Sequence, residues 1–591
     1  MLKILKKHKI IIFASLFISF IYGCHHIFIP NFINSDELKY SPITTKSSYD
    51  EAKTYAPRAR EVYSGDFIAD DINIQEHKNS PAVLPILNPI ITGSLARLLG
   101  NFELGLIASD FIFPALIFLI VFLIAYELSQ SKEASVLFST IFIFSPGFGL
   151  SFPPISIFTA KRLIGDFLPF LHSDLLYFSR IEYPKITFIF YALAFYFLLR
   201  VLKYGKKKDI IFSGISSGIL FYTYLYDWIY FFGGLLILLI LLLIFKEYKI
   251  LKKIILVITI GLVVSVFYWY NFIELHSMSH YSDIILRAGV EISHNLRILT
   301  WKTYLRAIAL ILILWMLFRK TEKIKIIYLS SFLAPIIFVL NLQVITGFNP
   351  QPDHWHRTQF LVVSLTIFFI IFNLLKKYLK NTRIIKKIGL YYVLIILIGM
   401  LYSQYCFSKD NINRFTLPIY ISESYEWLNE NTEVNSVVGT PNIDTNFEIS
   451  LYTDNKIFLP YGLNTLANEN EIWERMMIIY KIFDISTDEF SGKENGLSGN
   501  KILEYLFHNK YSSKEFNIYF SSVNEKTLPE NMFNEKISEY DNFIFDINKN
   551  PYKLDYLLVN EEKIGSQVNK EYIPYLKKVF DNNRIKIFKI K

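Results

Sequence analysis

The stretch FGGLLILLILLLIF, Phe232–Phe245, carries no charge and no hydrogen-bonding side chain. About 20 such residues cross the hydrocarbon core of a bilayer as a helix, and this run lies inside a longer apolar one. A second run, ALILILWMLF at Ala309–Phe318, has the same character. Membrane strands are shorter and alternate polar with apolar, so these runs predict helices. The whole chain agrees with them. Its 591 residues are 52% hydrophobic and 17% aromatic, with a mean hydropathy of +0.32. That composition excludes an ordinary soluble protein and points to a polytopic α-helical membrane protein.

Working outward gives about eleven transmembrane helices, at 10–30, 104–128, 134–151, 186–203, 210–226, 229–246, 254–273, 303–319, 325–344, 358–375 and 388–405. Residues 1–30 read as an uncleaved signal anchor. With the N-terminus inside, the cytoplasmic connections hold 23 Lys+Arg against 4 Asp+Glu, while the short outer loops hold 8 against 8. This is the positive-inside asymmetry. It accounts for the formal net charge of +9 without nucleic acid. It also predicts an N-in, C-out chain in the plasma membrane, with its active face outside. Two cysteines, Cys24 and Cys406, exclude a disulfide framework.

The division expected is a transmembrane module over 1–405, with a first extracytoplasmic loop at 31–103, and an extracytoplasmic soluble α/β domain over 406–591. In the latter, SYEWLNENTEVNSVVGTP reads as helix, turn and buried strand. NKIFLPYG, YKLDYLLVNEE and NNRIKIFKIK are further strands. NENEIWERMMIIYKIF has helical periodicity, with Ile472, Met476, Ile479 and Phe483 on one face.

The unusual polar residues collect at the outer ends. The first loop contains SSYDEAKTYAPRAREVYSGDF, Ser47–Phe67, where Pro57 suits a first helical turn and Gly65 a C-cap. Residues 82–100 predict a second helix lying flat in the interface. Asp110 falls within the second span, where a charge is costly and a functional role competes with helix packing. A later outer loop carries Arg180 and Glu182. The last one, GFNPQPDHWHRTQF, crowds Asp353, His354, His356 and Arg357 around Trp355. Arginine offers phosphate a permanently charged fork. An interfacial Trp-Arg belt is the alternative.

The loop pattern DEAKTYAPRAREVYSGDF, followed by the Pro-rich approach to a second flat helix, resembles the GT-C superfamily of polytopic glycosyltransferases. These include protein O-mannosyltransferases and the aminoarabinose transferases of lipid A. The segment YEWLNENTEVNSVV is similar to the outer domains of many such proteins. The resemblance implies transfer of a sugar from a polyprenyl-phosphate donor to a hydroxyl on a protein, lipid or glycan acceptor. It implies Asp50 as general base with Glu51 beside it. The earlier pair Asp36-Glu37 is the alternative. Arg357, with His354 or His356, would hold the lipid phosphate, with Arg180 in reserve. Tyr55 and Arg58 would line the substrate side, and Asp110, Asp353 and Glu182 would support it. Asp36, Asp50, Asp110 and Asp174 offer oxygens to a divalent cation, Mg2+ or Mn2+, but no spacing requires one. The rival readings are a transporter or flippase, a polymerase or ligase of lipid-linked saccharides, and a non-enzymatic membrane sensor or assembly protein.

Overall fold

A computed structural model describes residues 2–44, 51–68, 70–151, 157–296, 301–351, 354–378, 382–492, 496–511 and 528–591. Among the described residues, seven helices are long and apolar enough to cross a membrane: Lys9–Phe32, Phe102–Ser129, Thr187–Tyr204, Leu225–Ile244, Trp301–Phe318, Trp355–Tyr378 and Lys387–Asp410. Tyr248–Val264 and Val266–His276 make an eighth if their 52° bend is counted within one span. The other expected spans are helical but short. Lys132–Phe144 and Lys207–Ile219 have 13 residues each, about 20 Å against a hydrocarbon core of about 30 Å. Lys323–Leu333 ends just before Pro335, which has no N–H to continue the ladder. The chain is a multi-pass helical membrane protein, and the count of eleven full spans is not reached by helix length.

Apolar burial alone does not hold helices together in lipid, because lipid tails are equally apolar. Here small residues bring backbones together. Gly214 and Gly218 sit one turn apart on Lys207–Ile219. A Cβ on Gly218 would lie 2.6 Å from the Gly261 carbonyl of Tyr248–Val264. Only glycine permits that approach.

Among the described residues, nine short strands form three sheets. β1 (Leu38–Tyr40) pairs antiparallel with β4 (Thr416–Pro418), and β2 (Val290–Ile292) with β3 (Phe348–Pro350). The remaining strands are β5 (Val437–Gly439), β6 (Lys456–Ile457), β7 (Tyr556–Asn560), β8 (Leu576–Asp581) and β9 (Ile585–Ile590). They form one sheet in the order β6-β5-β7-β9-β8. β5 runs parallel to β6 and β7, while β9 is antiparallel to β7 and β8. Strand β7 explains the layering. Leu557 and Val559 point into a core with Trp473, Met476 and Ile479 of helix Glu469–Ile482. Tyr556 and Leu558 point the other way, onto Leu428 of helix Ile419–Asn431. A strand buried on both faces needs the continuous apolar run YLLV rather than an alternating one.

The first loop is built into this layer. The Asp71 carboxylate accepts from the Asn73, Ile74 and Leu466 amides and from the Thr465 hydroxyl, at 2.7–2.9 Å. Ile457 N–H donates to the Asn73 carbonyl at 3.0 Å, and Ile74 enters the core beside Trp473. The sheet therefore fixes where the first loop sits.

On helix Ile443–Tyr452, Glu448 accepts a 2.6 Å hydrogen bond from the Tyr425 hydroxyl. Burial pushes its carboxyl up to about 7, and the Tyr425 bond draws it back in part. The folded chain then holds this proton more tightly than the unfolded chain. Stability falls as pH rises from the ordinary carboxylate range through about 7. Glu448→Gln, which cannot ionise, should flatten that fall. Its melting temperature should gain on wild type more at about pH 8 than at about pH 4. Equal differences at both pH values would remove Glu448 as the cause.

Candidate active site

The first-loop helix begins with one wide π-helical turn, Glu51–Tyr55, and continues as Ala56–Ser64 with Pro57 in its first turn. Gly65, at φ +118°, ends it in the left-handed conformation and returns its N–H to the Glu61 and Val62 carbonyls. The helix lies on Leu87–Leu99. A Cβ at Gly93 would sit 2.5 Å from the Ala59 carbonyl, so the two helices touch backbone to backbone. Two ion pairs then tie the loop to residues 180–182. Glu51 accepts from Arg180 Nε at 2.6 Å. Buried Arg58 reaches Glu182 at 3.1 Å and also donates to the Leu84 and Pro85 carbonyls. Burial pushes the Glu182 carboxyl up to about 8, with Arg58 drawing it back only in part. Arg58 thus braces loop to loop, where sequence alone placed it on substrate.

Tyrosines carry the site onward to the last loop. Tyr183 and Tyr224 stack at 3.8 Å. The Arg357 guanidinium lies 5.6 Å from the Tyr183 ring, within cation–π range. The Tyr224 hydroxyl and His354 Nδ1 share a 2.9 Å hydrogen bond. Tyr226 touches both His354 and Trp355, at 5.1 and 4.9 Å between rings. Trp355 is fully buried and donates to Asn349 Oδ1 at 2.8 Å, which locks the start of its helix. Tyr177 lies within the fields of both Arg357 and Arg180. Burial, then the fields of Arg357, His356 and Arg180 around it, push His354 well below the ordinary histidine range. It is a neutral hydrogen-bonding group here rather than a cation. Two arginines from different loops therefore face one tyrosine-walled place. Such a place suits an anion with an apolar or sugar neighbour.

A second cluster lies deeper. Asp110 accepts from Lys185 Nζ at 2.7 Å and meets His26 Nε2 at 2.9 Å. Lys185 also reaches Ser109 at 2.7 Å. His26 Nδ1 pairs with the Tyr40 hydroxyl at 2.5 Å, and His25 Nδ1 with the Tyr22 carbonyl at 3.0 Å. Among the described residues, His25, His26 and Asp110 are the one group of three side chains close enough to share a metal ion. Lys185 already supplies Asp110 with a countercharge, so the group is neutralised from within. Asp36 and Asp174 are exposed on other segments. Among the described residues, Asp36, Asp110 and Asp174, named for Mg2+ or Mn2+, do not gather in one place.

Asp50 and Asp353 lie outside the described residues. Asp36 and Glu37 are exposed at the entry to β1, where the Glu37 carbonyl accepts from Ile419 N–H. His356 lies against Phe360, 5.8 Å between rings. Sequence reasoning passed over Lys185, Tyr183, Tyr224 and Asp227. Asp227 is only 4% exposed in the first turn of Leu225–Ile244. Its signal was available as a lone acid at the head of the most apolar helix.

No family model matches the chain, and no curated protein matches it. Solved structures do resemble it. One is the apo oligosaccharyltransferase of Archaeoglobus fulgidus, at 11% identity and TM-score 0.45, covering 94% of this chain and 69% of that one. Another is ArnT from Cupriavidus metallidurans bound to undecaprenyl phosphate, at 9% identity and TM-score 0.45, covering 93% and 95%. The apo state of the same ArnT gives 10% identity and TM-score 0.43, covering 92% and 93%.

Proposed function

We propose that this protein moves a sugar from a polyprenyl-phosphate donor to an acceptor hydroxyl at the extracytoplasmic face of the membrane. The observation that supports the reading is that Arg180 and Arg357 both lie within electrostatic reach of Tyr177, with Glu51 bonded to Arg180 and Arg357 over the Tyr183 ring. In this reading Arg357 and Arg180 hold the departing lipid phosphate and offset the charge it gains as the glycosidic bond breaks. Neutral His354 orients, and His356 flanks the phosphate. Asp50 takes the acceptor proton as attack proceeds. Glu51 fixes Arg180, and Tyr55 lines the acceptor side.

A lipid tail also has a place to lie. An apolar cleft of about 450 Å³ runs between Lys132–Phe144, Phe360–Tyr378 and Thr382–Asp410, walled by Phe138, Phe148, Phe167, Phe368 and Phe372. The middle helix follows directly from Trp355–Thr358, which carries Arg357. A tail in the cleft leads its headgroup toward that arginine.

The test is transfer from a radiolabelled polyprenyl-phosphate sugar by the purified protein in lipid. Arg357→Ala should lower kcat/KM by about 10²–10³-fold. Arg357→Lys should recover only part of it, because an ammonium lacks the planar fork. Transfer unchanged by Arg357→Ala would sink the assignment.

A further inference from the structure

A second pocket, of about 200 Å³, opens at the seam between the first loop and helix Ile419–Asn431. Its walls come from β1, helix Ala56–Ser64, the head of Phe102–Ser129 and helix Ile419–Asn431. Most of its polar groups are already bonded to each other. Lys39 pairs with Glu426, Ser41 with Tyr452, and Arg60 Nε with Asp454.

Two groups are not used up. The Glu103 carboxylate is half-buried and has neither a hydrogen bond nor an ion pair among the described residues, although Lys39, Arg60 and Glu426 all lie within its field. Arg60 uses only Nε on Asp454, and its side chain is 14% exposed over the Phe102 ring. The pocket therefore offers acceptor oxygens and guanidinium N–H donors together. Tyr63 and Phe102, 5.7 Å apart, make an aromatic edge beside them.

The charges select the guest. Lys39 and Arg60 balance Glu103 and Glu426. A bare cation would meet two positive groups and a bare anion two negative ones. A neutral guest with adjacent hydroxyls can donate to the carboxylate, accept from the guanidinium and lay its C–H face on the half-buried Tyr63 ring. We propose that this pocket binds a neutral saccharide. Helix Ala56–Ser64 carries Arg58 into the candidate active site and Arg60 into the pocket, so the two stand on one rigid element. That places the sugar as part of a glycan acceptor. This role rests on the transferase reading, but the binding itself does not.

The experiment is titration of the full-length protein in nanodiscs, without donor lipid, with cellobiose and N,N′-diacetylchitobiose. At least one should bind saturably. Glu103→Ala, which removes no bond within the protein, should weaken it at least about tenfold. Glu103→Gln, which keeps an acceptor oxygen, should lie between. Wild-type melting behaviour in both variants shows that they are folded. No saturable binding of either probe, or equal affinity in Glu103→Ala, overturns the proposal. Because no donor is present, failure of the transferase reading would leave this result unmoved.

Discussion

Membranes carrying Asp50→Asn should contain normally inserted protein whose sugar transfer has fallen about 10²–10⁴-fold, the usual contribution of a positioned general base. The reasoning starts from its neighbour. Glu51 is bonded to Arg180 and is 5% exposed, so it serves as an anchor for an arginine. That leaves Asp50 as the member of the pair proposed for the base. Asn keeps the size and hydrogen bonding of Asp but cannot take the proton. On the proposed reading KM for the donor should change little, because Arg357 and Arg180 would still hold the phosphate. Asp36→Asn is the internal control. Asp36 is exposed where β1 meets β4, and its loss should leave transfer unchanged. If Asp36→Asn abolishes transfer and Asp50→Asn does not, the roles of the two acidic pairs are reversed.

Local chemistry was legible in the sequence because local rules govern it. Pro57 and Gly65 mark the ends of the first-loop helix, and Gly100 ends Leu87–Leu99 at φ +70°. The run YLLV became a doubly covered strand. β8 was missed because LKKVFD alternates weakly and forms only as the outer neighbour of β9. Span lengths were overread for the same kind of reason. Apolar composition continues through Pro335 and through the bend after Val264, whereas the helical ladder does not. Pairing was the least legible layer. Arg58 read as lining the substrate side, whereas its partner Glu182 lies 124 residues away. Tyr183 and Tyr224 carried no signal, since tyrosine is common throughout this chain. Asp110 was marked as unusual, but its partner Lys185 lies 75 positions further on. Tertiary contact alone could bring the two together.

That last pair gives the largest expected effect on stability. The side chains of Lys185 and Asp110 are 1% and 8% exposed, and His26 completes the Asp110 shell. Removing one member of a buried ion pair strands the other charge away from water, at a cost of about 3–5 kcal/mol. Lys185→Met should therefore lower the melting temperature sharply in detergent and reduce the yield of inserted protein. Asp110→Asn should also be costly, because Asn still accepts from Lys185 but leaves its buried ammonium without a countercharge. The double replacement Lys185→Met with Asp110→Leu removes both charges together. Apolar substitutes for a whole buried pair are often neutral, so the double variant should be more stable than Lys185→Met alone. That recovery is the deciding measurement. If it occurs and transfer persists, the cluster is a brace joining the first span, the second span and the loop before Thr187. If stability returns and transfer does not, Asp110 has a second role in positioning Tyr40 through His26. A Lys185→Met protein as stable as wild type would show that the pair contributes nothing to the fold.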